Sequence, residues 1–235
     1  MQRFSFLHLP LGKDISVDEP SFVHQISRVL RSKIGEYIIL FNGDGREYIY
    51  AIQSIAKKDI ELSFVSDHEG VGDPEVSVRL YQALPNKYEK IEYILQKGVE
   101  VGIREFIFFR SERSQKLVIN DRKIERFHEI VREATEQCSG NRVPTIAFLE
   151  SGIPVPEDGS SYVLHTEGQE SEHMRDIGTD RGSLPVNIFV GPEGGWSPGE
   201  ISRFKQEHVQ CIHLGGRILR TETAGPAVAF FLIQK

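Results

Sequence analysis

A chain of 235 residues, 39% hydrophobic and 26% charged, can bury a sizeable core, and its length fits one large domain or, as expected here, two smaller ones. The formal charge of −6 argues against a non-specific nucleic-acid binder, whose affinity comes from Lys and Arg neutralising phosphates; only the stretch 85–142 is net basic. The longest apolar runs, such as Ala227 to Ile233, fall below the roughly 18 residues that cross a bilayer, and no basic, apolar, small-residue series opens the chain, so a cytoplasmic protein without a membrane span is expected.

The N-terminal third reads as a small β-rich unit with one helix. Pro20 opens that helix, and Phe22, Ile26, Val29 and Leu30 follow its spacing. Glu36 to Phe41 and Glu47 to Ile52 are rich in β-branched and aromatic residues and flank Asn42-Gly43-Asp44-Gly45, a strong hairpin turn. Ile60 to Val65 and Val76 to Ala83 are further strand candidates. His68 to Pro74, polar and rich in breakers, is the expected linker between a domain over 1–70 and a domain over 75–235. From there helix and strand alternate, which favours an α/β layer with a largely parallel sheet. Glu89 to Val101 places Ile91, Ile94, Leu95, Gly98 and Val101 on one helical face, and Phe106 to Phe109 follows as a buried strand. Asn120 can cap a helix in which Ile124, Phe127, Val131, Ala134 and Cys138 recur at three- and four-residue steps before Ser139-Gly140. Thr145 to Leu149, Tyr162 to Leu164, Val186 to Val190 and Cys211 to Leu214 are short and apolar, as strands inside a doubly covered sheet are. Residues 167–183, acidic and without period, read as a mobile surface loop.

Two segments can carry chemistry. Val186 to Val190 runs straight into Gly191-Pro192-Glu193-Gly194-Gly195-Trp196, after which Ser197-Pro198-Gly199-Glu200 forms a capping box that opens a helix. Three glycines in five residues let a ligand approach main-chain amides with no Cβ in the way, although spacing alone also allows a tight turn without a ligand. The second segment, Leu214 to Ala224, leaves a strand, turns at Gly215-Gly216 and enters an Ala-rich helix that Thr221 or Thr223 could cap; Gly225-Pro226 predicts a later start or a kink. A P-loop is excluded because Trp196 stands where Lys and Ser or Thr would follow, and Gly43-Asp44-Gly45 lacks a third Gly and leads into a strand. The eight histidines show no metal spacing and no Gly-x-Ser-x-Gly elbow occurs, so neither a metal site nor a hydrolase triad is expected. Cys138 and Cys211 fit no CxxC or disulfide framework and read as reduced thiols.

Together these residues resemble the RsmE-type methyltransferases, which modify N3 of a uridine in small-subunit (16S) ribosomal RNA and belong to the knotted SPOUT class. The resemblance runs through His24 to Arg31, the Phe41 to Gly45 turn, Gln96-Lys97, Glu100, Ser111-Glu112-Arg113-Ser114 and Glu136 to Pro144. It is strongest at Gly191 to Gly195 and Leu214 to Ala224. It implies an N-terminal PUA-like β-barrel for RNA and a C-terminal trefoil-knotted α/β domain with a parallel sheet, in a homodimer acting on the 30S subunit. It also implies an S-adenosylmethionine site formed by Leu164, Gly191, Pro192, Glu193, Gly194, Gly195, Leu214, Gly215, Ile218, Leu219, Arg220 and Thr221.

Methylating uracil N3 requires loss of its proton, helped by a base or by a cation that stabilises charge on the flanking carbonyls. Arg220 is the expected cation, with Glu222 or Glu193 orienting it or accepting the proton. Arg3, Arg28, Arg31, Arg110, Arg113 and Arg142 are the candidate RNA contacts. The competing readings are a non-catalytic RNA-binding or ribosome-assembly protein with a retained cofactor pocket, a SPOUT enzyme with another RNA target, and an adenosine-ligand enzyme of different chemistry.

Overall fold

The computed structural model describes residues 1–150, 152–166, 171–177 and 184–234. The chain divides into two compact units, one of Met1–Asp73 with Thr135–Val143, the other of Pro74–Ala134 with Pro144–Lys235.

The first unit contains β1 (Gln2–Ser5), β2 (Ile15–Val17), α1 (Pro20–His24), β3 (Tyr37–Phe41), β4 (Arg46–Ile55) and β5 (Ile60–Glu69), in the sheet order β1-β3-β4-β5-β2. β1 runs parallel to β3 and the other ladders are antiparallel. The expected helix is present, but after α1 it widens into a π-helical turn over Gln25–Val29, and only Ile26 of that turn is buried. Phe22 fills the core edge-on to both Phe4 and Phe6, over Ile38, Leu40, Tyr50 and Ile52. The Asn42 to Gly45 hairpin forms as expected, with Asn42 Oδ1 accepting from the Asp44 amide and Asp44 Oδ1 from the Arg46 amide. β1 and β2, absent from the sequence reading, are the two edge strands. The expected linker begins too early, because His68 and Glu69 still pair with Glu47 and Arg46 in the β4–β5 ladder.

Thr135–Val143 belongs to this first unit through polar contacts rather than an apolar stripe. The Arg3 guanidinium donates to the Gly140 carbonyl at 2.7 Å and to Asn141 Oδ1 at 3.1 Å, and it forms an ion pair with Glu47. The Ser5 amide donates to Glu136 Oε1, and the Asn141 amide to Asp73 Oδ1, both at 3.0 Å.

The second unit contains β6 (Val78–Ala83), α2 (Tyr88–Glu100), β7 (Ile103–Phe109), α3 (Asp121–Gln137), β8 (Thr145–Leu149), β9 (Ser160–Leu164), β10 (Glu172–His173), β11 (Val186–Val190), α4 (Pro198–Gln206), β12 (Gln210–His213) and α5 (Thr221–Gln234). Its seven strands lie in the order β10-β12-β9-β11-β6-β7-β8, and every ladder is parallel. All five residues of β11 are buried, as a central strand covered on both faces requires. Asn120 Oδ1 accepts from the Lys123 amide at the start of α3, which is the expected cap. Among the described residues no helix is long and apolar enough to cross a membrane.

Two expectations need correcting. Of the loop expected over 167–183, residues 167–170 and 178–183 lie outside the described residues. The rest is structured: β10 pairs with β12, a 3-10 turn follows over Met174–Asp176, and Met174 and Ile177 are buried. Two apolar anchors among acids are too few to produce a visible period. The last helix neither starts late nor is capped by a threonine side chain. α5 begins at Thr221 and includes Pro226, because Ala224, Gly225 and Pro226 are buried and Gly225 packs against Leu80. Close packing on the sheet outweighs one backbone hydrogen bond lost at proline.

After β12 the chain doubles back, since α5 contacts β11, β6 and α2, which lie beyond β9 from the strand it has just left.

Gly159 sets the entry to β9. At φ +79, a Cβ there would stand 2.0 Å from the Pro185 carbonyl oxygen, whose partner is the Ser160 amide. Gly159→Ala is therefore expected to cost roughly 2 kcal/mol through left-handed strain and a main-chain clash. A urea melt should show a lower midpoint at constant slope, and an unchanged midpoint would contradict this account.

Candidate active site: a glycine-loop cleft

The C-terminal ends of β9, β11 and β12 open into one cleft of about 1060 Å³. Loops beyond the carboxyl ends of parallel strands are where such sheets bind ligands. All the sequence-predicted cofactor residues line it: Leu164, Gly191 to Gly195, Leu214, Gly215 and Ile218 to Thr221, together with Glu222. Among the described residues no group of His, Cys, Asp and Glu is arranged to hold a metal ion.

The first loop is held from below. Trp196 is 4% exposed, donates its indole N–H to the Leu164 carbonyl at 2.9 Å, and stacks on Phe109 and edge-on to Phe204. Gly191 lies against its ring, where a Cβ would meet Trp196 Cε2 at 3.2 Å. Gly195 turns at φ +66, and the expected capping box then forms, with Ser197 Oγ accepting from the Glu200 amide and Glu200 Oε2 from the Ser197 amide. The other carboxylate oxygen of Glu200 accepts from the Glu112 amide at 2.9 Å, which fixes the Ser111 to Ser114 segment beside the loop.

The two glycine loops are joined by Thr221. Its hydroxyl donates to the Gly191 carbonyl at 2.6 Å and accepts from Gln82 Nε2 at 2.9 Å. Gln82 is fully buried in β6, and its Nε2 also donates to the Ala83 carbonyl. A polar residue within the apolar run Val78 to Ala83 was the visible signal for Gln82, and the sequence reading passed over it.

Electrostatically the cleft centres on Lys90, in the first turn of α2. Its ammonium lies 2.7 Å from Glu193 Oε1 and 3.5 Å from Glu222 Oε2, and Glu193 Oε1 also accepts from the Asn86 amide. The structure thus brings the two expected acids to Lys90. Arg220 is exposed, and its carbonyl accepts from the first amides of α5. Burial pushes the Glu193 carboxyl up, but the Lys90 hydrogen bond, main-chain amides and the lysine charge together hold it below its ordinary value. Burial lowers Lys90, and the hydrogen bond and charge of Glu193, followed by Glu222, more than reverse this. A lowered acid and a raised base both add stability between their ordinary ranges. That contribution disappears as pH falls through the Glu193 value or rises through the Lys90 value.

The six arginines expected to meet RNA have different surroundings. In the first unit Arg28, Arg31 and Arg142 are exposed, with Arg142 3.7 Å from Asp73, whereas Arg3 is held inside as described above. In the second unit Arg110 donates to the Gln115 and Leu117 carbonyls within its own loop, and Arg113 is exposed at the cleft and donates to the Gly194 carbonyl.

A family profile described as an RNA methyltransferase domain matches residues 73–233, and one described as an RNA methyltransferase PUA domain matches residues 26–65. The chain is 31% identical to ribosomal RNA small subunit methyltransferase E of Bacillus subtilis, over 95% of this chain and 93% of that one. A structure of ribosomal RNA small subunit methyltransferase E from Neisseria gonorrhoeae bound to S-adenosylmethionine superposes with a TM-score of 0.85 at 26% identity, covering 97% of this chain and 95% of that one. A Legionella pneumophila structure described as a methyltransferase with bound cofactor SAM gives 0.84 at 27%, covering 98% and 96%. Fold and cleft therefore define an RNA methyltransferase of the knotted SPOUT class with a PUA domain. Within that class the chain belongs to the ribosomal RNA small subunit methyltransferase E family.

Two outcomes are expected. Thr221→Val should cost about 1–3 kcal/mol, because Gln82 Nε2 and the Gly191 carbonyl each lose a buried partner, and it should weaken cofactor binding measured by calorimetry. The stability difference between the native protein and Glu193→Gln should be flat near neutral pH and close at both acid and alkaline extremes; a difference that grows in acid would reverse the assigned shift.

Proposed function

We propose that this protein transfers a methyl group from S-adenosylmethionine to N3 of a uridine in small-subunit ribosomal RNA. The observation that carries the reading is one cleft shared by two glycine loops, a lysine and two carboxylates. The donor set suits the cofactor. Main-chain amides and carbonyls at Gly191 to Gly195 and Leu214 to Gly216 offer hydrogen bonds to an adenine and an amino-acid tail, while Leu164, Ile218 and Leu219 offer apolar cover; Ile218 is 81% exposed. When bound, the cofactor supplies an electrophilic methyl group.

The chain's residues then have to align the uracil, exclude water and take its N3 proton. In this reading Glu222 accepts that proton, supported by its position on the cleft lining beside Lys90. Arg220, on the same cleft, supplies positive field to the uracil oxygens. The uridine enters unstacked, as enzymes acting on base atoms require. Arg28, Arg31 and Arg142 in the first unit and Arg110 and Arg113 in the second contact the RNA, while Arg3 organises the first unit. The acidic total fits a substrate read by shape, the assembled 30S subunit, in the cytoplasm where ribosomes are. A homodimer is supported by Tyr93 and Phe230, exposed aromatics on the mutually packed α2 and α5 that a second copy would cover. A non-catalytic assembly role is disfavoured by the preserved loops and by the Lys90-paired carboxylates on the cleft.

Labelled S-adenosylmethionine and 30S subunits lacking the modification test the reading, with the product nucleoside mapped by mass spectrometry. Transfer to a uridine N3, faster on subunits than on protein-free RNA, is expected. Cofactor binding without transfer would favour the assembly role. Arg220→Ala should lose on the order of 100-fold in single-turnover rate at saturating cofactor; full activity would remove Arg220 from the mechanism.

A further inference from the structure

We infer that Lys90 is a positioning residue for methyl transfer, holding the Glu222 carboxylate toward the substrate's imide N–H while Glu193 anchors the lysine. The inference rests on the reading of Glu222 as proton acceptor.

The two carboxylates are unequally served. Glu193 Oε1 accepts both the Asn86 amide and the Lys90 ammonium, so it is a satisfied anchor. Glu222 has a side chain only 14% exposed, and its Oε2 meets Lys90 at 3.5 Å, a charge contact without a directed hydrogen bond. With Oε2 turned inward to Lys90, the side chain still lines the cleft, where a carboxylate oxygen can accept from a ligand donor. The imide N–H of an unstacked uracil is such a donor. An N3-methylated product has no proton there, so the same oxygen binds substrate and rejects product.

Lys90 is also poorly placed for helix stability alone. It occupies the third residue of α2, where the helix dipole disfavours a cation. Two carboxylates sharing one site without a cation would push one to protonate, and a protonated Glu222 cannot take a proton. The hydrogen bond to Glu193 keeps the ammonium within reach of Glu222 when substrate arrives. The other charged or titratable groups lining the cleft are Arg113, Arg217, Arg220, His165 and His213.

The step balances. The N3 proton passes to the Glu222 carboxylate, the N3 electron pair forms the bond to the methyl carbon, and the carbon–sulfur bond breaks with its pair left on sulfur. The cofactor's positive charge and the Glu222 negative charge vanish together.

The test uses the full-length protein with 30S subunits, in single turnover from acid to alkaline pH, with cofactor affinity measured separately. Lys90→Gln should bind S-adenosylmethionine within a few fold of the native protein, lose about 10- to 100-fold in rate at neutral pH, and move the acid limb of the pH–rate profile upward. Lys90→Arg should restore most of the rate and the native limb. In a Glu222→Gln background, Lys90→Gln should add little further loss. A rate loss uniform across pH, or a loss of cofactor binding equal to the rate loss, would make Lys90 merely structural and overturn the inference. Full activity of Glu222→Gln would instead sink the proton-acceptor reading on which it rests, whatever Lys90 does.

Discussion

The hydroxyl of Thr221 joins the two loops that make the cleft. It donates to the Gly191 carbonyl at the end of β11, accepts from Gln82 in β6, and stands at the first residue of α5. One side chain therefore ties the strand-end loop, the central sheet and the returning helix. Neither loop is regular structure, and each would otherwise sample many arrangements. Tying them through the buried Thr221 and Gln82 converts flexible glycine backbone into a shaped surface, while the glycines keep the main chain open to a ligand.

Around that tie the protein uses polar anchors on an apolar platform. Trp196 presents its ring to Gly191 and its N–H to Leu164, so one residue supports the loops after β11 and β9. Glu200 caps α4 with one oxygen and holds Glu112 with the other. Lys90 does the same with charge, joining the first turn of α2 to the Gly191 loop through Glu193 and to α5 through Glu222. Each anchor spends a polar group only where its partner is fixed, which keeps the cost of burial low.

Local chemistry was legible in the sequence. The Ser197–Glu200 capping box, the Asn120 cap, the Asn42 to Gly45 hairpin and the parallel α/β order all depend on neighbours a few residues apart. The glycine loops were legible as turns by spacing, and as a cofactor site only when paired and set beside a known family. The rest depended on distant partners. β1, β2 and β10 are too short to show alternation, and exist because β3, β5 and β12 offer them edges. Thr135–Val143 joins the first unit through Arg3 and Ser5, residues more than a hundred positions away that no local period could announce. Lys90 carries no local signal and becomes a site residue only because Glu193 and Glu222 are brought to it.

The sheet order also bears on how the chain reaches this state. β6 is the first strand of the second unit in the chain, yet its neighbour on one side is β11, and Val78 pairs with Val186. During synthesis the apolar face of β6 has β7 beside it early but must wait for β11, with most of the unit still to be made. Sheets assembled from such distant pairs fold slowly and expose unpaired edges meanwhile. The cleft closes later still, once α5 has crossed back over β11 and Thr221 has found Gly191. The cleft thus depends on α5 as well as on the sheet, and a chain made only as far as β12 lacks the Thr221 tie that joins its two loops.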